Sequence, residues 1–249
     1  MATISPSTIL STLGADFDQH NFLPASGDSG TRGGVLIAWR RGSCQAAATR
    51  VDTYSASVKF VLEDGNEWWF TGVYGPNLDA DKLHFLQELR DIRAGCPGPW
   101  LIGGDFNLIY RSADKNNPNV DRAMMGRFRR LINELELQEL ELLGRHFTWS
   151  NERDAPTLVR LDRVLCSSSW GQLFPDSLLQ STAAGISDHC PLVLGLRDNV
   201  RGRGRFHFEN FRPSLDGFLE VVDTTWASPV PGICPFEQLA AKVVLFAII

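Results

Sequence analysis

The chain has 249 residues, 43% hydrophobic and 21% charged, the composition of an ordinary soluble globular protein. Its formal net charge of −5 argues against a dominant basic face and against tight non-specific binding to DNA, since the positive residues are mostly arginines in local groups. Five widely spaced cysteines form no Cys-x-x-Cys pair, the N-terminus has no basic leader or long apolar core, and the apolar run Val243 to Ile249 is too short to span a bilayer; a disulfide framework, a zinc site, a secretory signal and a membrane span are all disfavoured.

Residues 1–30 are weakly patterned and end in Ser26-Gly27-Asp28-Ser29-Gly30. Val35 to Trp39 is a short apolar run typical of a buried strand. Val58 to Leu62 and Trp68 to Tyr74 are β-rich and flank Glu63-Asp64-Gly65-Asn66, a hairpin signal. Asp79 or Asp81 is placed to cap a helix running to about Arg93, with Phe85, Leu86, Leu89 and Ile92 on one face. Gly95 and Pro97 stop it, and Trp100 to Gly104 is the next buried strand. Asp121 opens a second helix with the stripe Met124, Phe128, Leu131, Ile132 and Leu135. Short strands follow near Phe147 to Trp149, Arg160 to Leu165 and Pro191 to Leu196. Strand pairs alternating with two helices predict an α/β layered sandwich with helices outside sheets. Composition changes at Arg197: Arg201-Gly202-Arg203-Gly204-Arg205 reads as a flexible basic linker, and Phe206 to Ile249 is too short for its own core.

Two clusters join apolar runs to side chains suited to a metal or a phosphate. Trp100-Leu101-Ile102 leads into Gly104-Asp105-Phe106-Asn107, and Ser187-Asp188-His189 precedes Leu192-Val193-Leu194. Asp105 at a strand end supplies an oxygen ligand for a hard cation such as Mg²⁺. Asn107 projects to the same side and can hold a phosphate oxygen or the attacking water. Taken alone, the segment reads equally well as a β-turn whose Asp and Asn cap nearby amides.

His189 alone would read as a half-buried packing residue. As a catalytic group it needs a carboxylate on its far ring nitrogen to fix its tautomer. Asp188 faces the opposite way along an extended chain, so a distant Asp is favoured, and Asp162 in Arg160-Leu161-Asp162-Arg163 is the candidate. Asp188 is then left to orient Asn107 or a metal-bound water. Arg163 is placed to contact phosphate, the alternative being a surface strand with cross-strand ion pairs. In Tyr74-Gly75-Pro76-Asn77 the proline fixes the chain direction; the Tyr74 hydroxyl bonds a phosphate there or the segment merely ends a strand. His20, His84, His146 and His207 have no ligand-like spacing.

Taken in order, these segments resemble the endonuclease/exonuclease/phosphatase superfamily, and within it the apurinic-type endonuclease domain of plant non-LTR (LINE-type) retrotransposons. The matching residues are Gly33 to Trp39, Val73-Tyr74-Gly75-Pro76, Gly104-Asp105-Phe106-Asn107, Phe147-Thr148-Trp149-Ser150-Asn151, Arg160-Leu161-Asp162-Arg163 and Ser187-Asp188-His189-Cys190-Pro191. Phe206 to Phe211 looks like the segment that leads such elements toward their reverse transcriptase. The resemblance covers about residues 8–225.

The resemblance implies a four-layered αββα sandwich over residues 1–198, with 199–249 as linker and appendage. It implies a Mg²⁺- or Mn²⁺-dependent endonuclease whose partner is DNA and whose products carry a 5′ phosphate and a 3′ hydroxyl. Asp105 would bind or activate the attacking water, and Asn107 and Tyr74 would hold the scissile phosphate. His189 would stabilise the phosphoryl oxygens, Asp162 would hold His189, and Asp188 would assist at the metal. The expected metal set is Asp105, Asp188 and His189; the expected substrate set is Asn107, Tyr74 and Arg163.

The family pattern opens with an Asn-bearing strand and a strand ending in Gln-Glu, whose Glu is the main metal ligand. This chain begins after both, so the reading expects an N-terminally truncated, element-derived domain missing its first strands. Two further readings stay open: a non-catalytic remnant, and a phosphatase for a small phosphorylated molecule, since fold does not fix substrate. Nuclear placement follows from the resemblance, with the cytoplasm as the alternative. No membrane association and no obligate protein partner are expected.

Overall fold

The computed structural model describes residues 6–14, 16–17, 19–24, 34–40, 42, 44–182, 187–196 and 218–227. The chain divides into two compact units, 1–198 and 199–249. The first unit opens with helix α1 (Pro6–Leu13) and strands β1 (Gln19–Leu23), β2 (Val35–Trp39), β3 (Gln45–Val51), β4 (Ser55–Val61) and β5 (Glu67–Tyr74). Helix α2 (Asp79–Gly95), β6 (Trp100–Asp105), a short 3-10 helix (Ser112–Asp114) and α3 (Arg122–Glu134) follow. Then come β7 (Leu137–Glu139), β8 (Leu142–Leu143), β9 (Trp149–Ser150), β10 (Leu158–Val159), β11 (Asp162–Ser167), α4 (Ser168–Leu173), β12 (Leu178–Ser181) and β13 (Leu192–Gly195).

Six strands form the central sheet in the order β3-β4-β5-β6-β11-β7. β5 and β6 are parallel and the other neighbours antiparallel. Parallel neighbours need a long crossover, and α2 supplies it. One face of the sheet, with Trp69, Val73, Trp100, Ile102 and Leu165, packs under α2 and α3 through Phe85, Leu89, Ile92, Phe128 and Leu131. Each such side chain taken out of water contributes roughly 1.5–3 kcal/mol. The other face meets two small sheets. Ala56, Val58 and Phe60 pack on Val35 and Ile37 of the β1–β2 pair. Leu101, Val164 and Cys166 pack on Leu142, Leu179 and Trp170, beside the β13-β12-β8 sheet. Trp68 and Phe70 border both clusters. Helices, sheet and second sheet layer thus stack in the mixed α/β arrangement that the alternating pattern predicts.

Several details depart from the sequence reading. Neither Asp79 nor Asp81 caps α2; Leu78 holds the cap position without a side-chain bond, and both aspartates lie in the first turn. There they favour the positive end of the helix dipole. The chain leaves β5 through Gly75, whose N–H donates to the Asp105 carbonyl at 2.7 Å. Asp121 does cap α3, accepting from the Met124 N–H. β1 forms inside the weakly patterned first thirty residues because it pairs along the whole of β2. β3 is alanine-rich and shows no strand period, yet pairing with β4, across a register shift at Ala46/Ala48, holds it extended.

In the second unit the described element is helix α5 (Phe218–Ala227). The segments Arg201 to Arg205 and Phe206 to Phe211 lie outside the described residues. Among the described residues no helix is long and apolar enough to cross a membrane.

Candidate active site

The site begins as a row across three strands. Tyr74 ends β5, Asp105 ends β6 and Asp162 starts β11, and the registers pair Tyr74 with Asp105 and Asp105 with Asp162. Paired positions place their side chains on the same side, so the three groups line up at one end of the sheet. Two glycines allow the close packing beneath the row. A Cβ on Gly75 would lie 2.2 Å from the Phe106 carbonyl oxygen, and one on Gly104, at φ +140°, 2.2 Å from that of Val73.

His189 arrives from a different segment. Its backbone bridges Trp149, and its Nδ1 lies 2.9 Å from Asp162 Oδ2. The hydrogen bond to Asp162 raises the pKa of the imidazole, partial burial pulls it down by less, and the negative charges of Asp162, Asp105 and Asp188 push it further up. The ring is therefore held toward its cationic form with Nε2 as the outer donor. Asp162, Ser187, His189 and Cys190 line a cleft of about 440 Å³ between the sheet layers, walled also by Phe70, Leu101 and Leu192.

Asn107 sits in the left-handed region at φ +49°, a conformation that Asn tolerates. Its backbone N–H donates to Asp105 Oδ1 at 2.9 Å; its Nδ2 donates to Asp105 Oδ2 at 3.0 Å and to the Gly75 carbonyl at 2.7 Å. An amide has two side-chain hydrogens, and both are committed. Asn107 therefore orients Asp105 here and has no side-chain donor left for a phosphate oxygen; its other expected role, toward the attacking water, needs only the Oδ1 acceptor.

Burial raises the Asp105 carboxyl from an ordinary value near 3.8 to about 6, against the opposing pull of the Asn107 N–H and with the Asp162 charge adding to the rise. A carboxyl bound more tightly to its proton in the folded state loses stability as pH rises through that interval. The rise from 3.8 to about 6 corresponds to roughly 3 kcal/mol. Asp105→Asn removes this cost, but the asparagine has one acceptor oxygen where Asp105 uses two toward Asn107, a loss of about 1–1.5 kcal/mol. The variant is expected to be about 1–2 kcal/mol more stable than the parent at pH 8 and no more stable at pH 4, read from urea melts with EDTA present.

Three other expectations change. Arg163 does not reach the site: its side chain is 1% exposed and is ion-paired with Asp114 and Glu139. Arg160 shares Glu139 at 2.9 Å and belongs to the same buried network. Asp188 is exposed and accepts from Trp149 Nε1 at 2.8 Å, which takes it away from the expected role of orienting Asn107; that it does not pair with His189 is as strand alternation predicts. Among the described residues no three His, Cys, Asp or Glu side chains come together as metal ligands. Mg²⁺ takes near-octahedral oxygen ligation, and with Asp188 on Trp149 and Asp162 on His189 the expected set of Asp105, Asp188 and His189 does not assemble as a site for it. Sequence reading also left Thr148 and Asp114 without a role. Thr148 stands between Phe147 and Trp149 with nothing to mark it, and Asp114 lies in a polar stretch where an acid looks solvated.

Residues 2–189 match the model of the Endonuclease/Exonuclease/phosphatase family, and the chain belongs to that family. A curated relative, the Transposon TX1 uncharacterized 149 kDa protein of Xenopus laevis, is 26% identical over 177 residues, covering 67% of this chain. The chain spans 13% of that protein's length. Among solved structures, the endonuclease domain of TRAS1, a telomere-specific non-LTR retrotransposon, superposes with a TM-score of 0.59 at 19% identity, over 73% of this chain and 80% of that one. The 3′ phosphatase NExo from Neisseria, bound to a product DNA hairpin, gives 0.52 at 18% identity, over 72% and 79%. At these identities the two structures show the shared fold.

Proposed function

We propose that the first unit hydrolyses phosphodiester bonds of DNA as an endonuclease. The observation that carries this reading is the His189–Asp162 pair at 2.9 Å, set beside Asp105 in the strand-end row. In the proposed step, cationic His189 donates from Nε2 to a phosphoryl oxygen and offsets the charge that builds there. Asp105, with its pKa near 6, is ionised at neutral pH and takes a proton from the attacking water. The water oxygen bonds to phosphorus as the bond to the leaving oxygen breaks, and that oxygen is protonated from solvent. Asn107 aims the Asp105 carboxyl, and the half-exposed Tyr74 contacts the phosphate. The TRAS1 and NExo structures, both named for work on nucleic acid, support DNA as the substrate class.

Nucleases of this family generally depend on a divalent metal. Mg²⁺ and Mn²⁺ therefore belong in the assay. The test is nicking of supercoiled plasmid in either ion, with loss of product in Asp105→Ala and His189→Ala. Turnover of small phosphate esters without nicking overturns the DNA reading in favour of a phosphatase. The lack of an assembled metal-ligand set among the described residues favours a second reading, a fold that has lost catalysis. No nicking in either ion, and no rise in melting temperature on adding the ions alone, is the result expected of it, because a ligand that binds the folded state must stabilise it.

A further inference from the structure

His189 and Asp162 are 27 positions apart, and neither is held inside a long element. Asp162 is the first residue of β11, and His189 is attached through a β-bridge to Trp149, made by the Cys190 N–H on the Thr148 carbonyl and the Ser150 N–H on the Asp188 carbonyl, with Trp149 Nε1 on the Asp188 carboxylate. One residue touches the segments of both. Thr148 is fully buried. Its Oγ1 accepts the backbone N–H of Leu161 and of Asp162, each at 3.0 Å. Its carbonyl accepts the Cys190 N–H at 2.7 Å, and its own N–H donates to the Val159 carbonyl at 3.0 Å.

We propose that Thr148 is the positioning residue of this site: its hydroxyl fixes the start of β11 and its carbonyl fixes the His189 segment, so one buried residue sets how Asp162 meets His189. The proposal rests on the phosphodiesterase reading for its kinetic consequence and on the bonds themselves for its structural one. A hydroxyl oxygen has two lone pairs, and two amides use them. Valine has the same shape and no acceptor. In Thr148→Val the Leu161 and Asp162 amides lose their partner, and buried N–H groups are costly to leave unpaired. The carbonyl bond to Cys190 survives that change, so one half of the pair shifts and the other stays. Serine keeps the hydroxyl and restores both bonds.

The kinetic expectation is a fall in kcat of about 100-fold in Thr148→Val, with KM changed less than about threefold, because a small misplacement of a catalytic group affects the chemical step more than binding. Thr148→Ser recovers most of the rate. The second readout needs no turnover: the Nδ1 proton of His189, followed by NMR, gives a slowly exchanging downfield signal in the parent and in Thr148→Ser and loses it in Thr148→Val. If the parent nicks no DNA, the hydrolytic reading fails and the NMR signal still decides the role of Thr148. If Thr148→Val does not fold, hydrogen exchange on the parent decides: the Leu161, Asp162 and Cys190 amides are expected to exchange at one slow common rate. An unchanged kcat and an unchanged Nδ1 signal in Thr148→Val, or a fast Asp162 amide beside a slow Cys190 amide, overturns the proposal.

Discussion

On the proposed endonuclease reading, Asp162→Asn is expected to lower the nicking rate about 100- to 1,000-fold, the scale of a positioned acid or base, with little change in KM. The cause is loss of the carboxylate at 2.9 Å from His189 Nδ1, the leading reason that the pKa of the imidazole is raised. The sign follows from the role. A group that acts as a cation works below its pKa and stops as pH rises through it. In the parent the raised pKa extends the cationic form of His189 to higher pH than in an unpaired imidazole. In Asp162→Asn that pKa falls, so the alkaline limb of the pH–rate profile moves to lower pH. His189→Ala costs a similar factor, and adding Asp162→Asn to it costs little more, because the two side chains act as a unit. Independent, multiplying losses in the double variant would sink the idea that the two form one functional pair.

Arg163→Met is expected to destabilise the first unit by about 3–5 kcal/mol, since removing one partner of a buried ion pair strands the other charge. Asp114 is 0% exposed. Burial pushes its carboxyl up, but the Arg163 charge and the N–H groups of Arg111 and Tyr110 outweigh this and hold its pKa below the ordinary value. A carboxylate with a depressed folded pKa contributes stability above its unfolded pKa and loses it as pH falls through the folded one. The deficit of Arg163→Met is therefore largest near pH 7 and shrinks in acid. Arg163→Lys rescues only in part, because one guanidinium bonds Asp114, Glu139 and the Arg160 carbonyl from a planar fork that an ammonium does not copy. Urea melts at pH 7 and pH 4 give the answer. Unchanged stability with weaker DNA binding would instead make Arg163 the phosphate contact that its sequence context suggests.

The parts of the fold that could be read without coordinates are those where period and burial agree. The α2 stripe Phe85, Leu86, Leu89 and Ile92 is also its buried set, and the Asp64-Gly65 turn does join β4 to β5. The parts that escaped are short or borrowed from neighbours. β8, β9 and β10 have two residues each and show no alternation to detect. They exist because adjacent segments offer hydrogen bonds to them. In the site, the pairing of His189 with a distant Asp followed from strand alternation alone. The reassignments of Arg163, Asp188 and Asn107 did not, since each depends on which polar group in another segment comes within 3 Å.

The amino-acid order alone placed a phenol at Tyr74 and a carboxylate at Asp105 at strand ends, a second carboxylate at Asp162 within a strand segment, and an imidazole at His189 just ahead of one. It did so because apolar runs and turn residues are local signals, written in consecutive positions. The tertiary structure decided which of these groups meet, which charges are buried and which donors are already spent. Those outcomes depend on registers such as Asp162 against Asp105 and on crossings such as Thr148 between two segments, and a contact between distant residues leaves no periodic trace in a single chain.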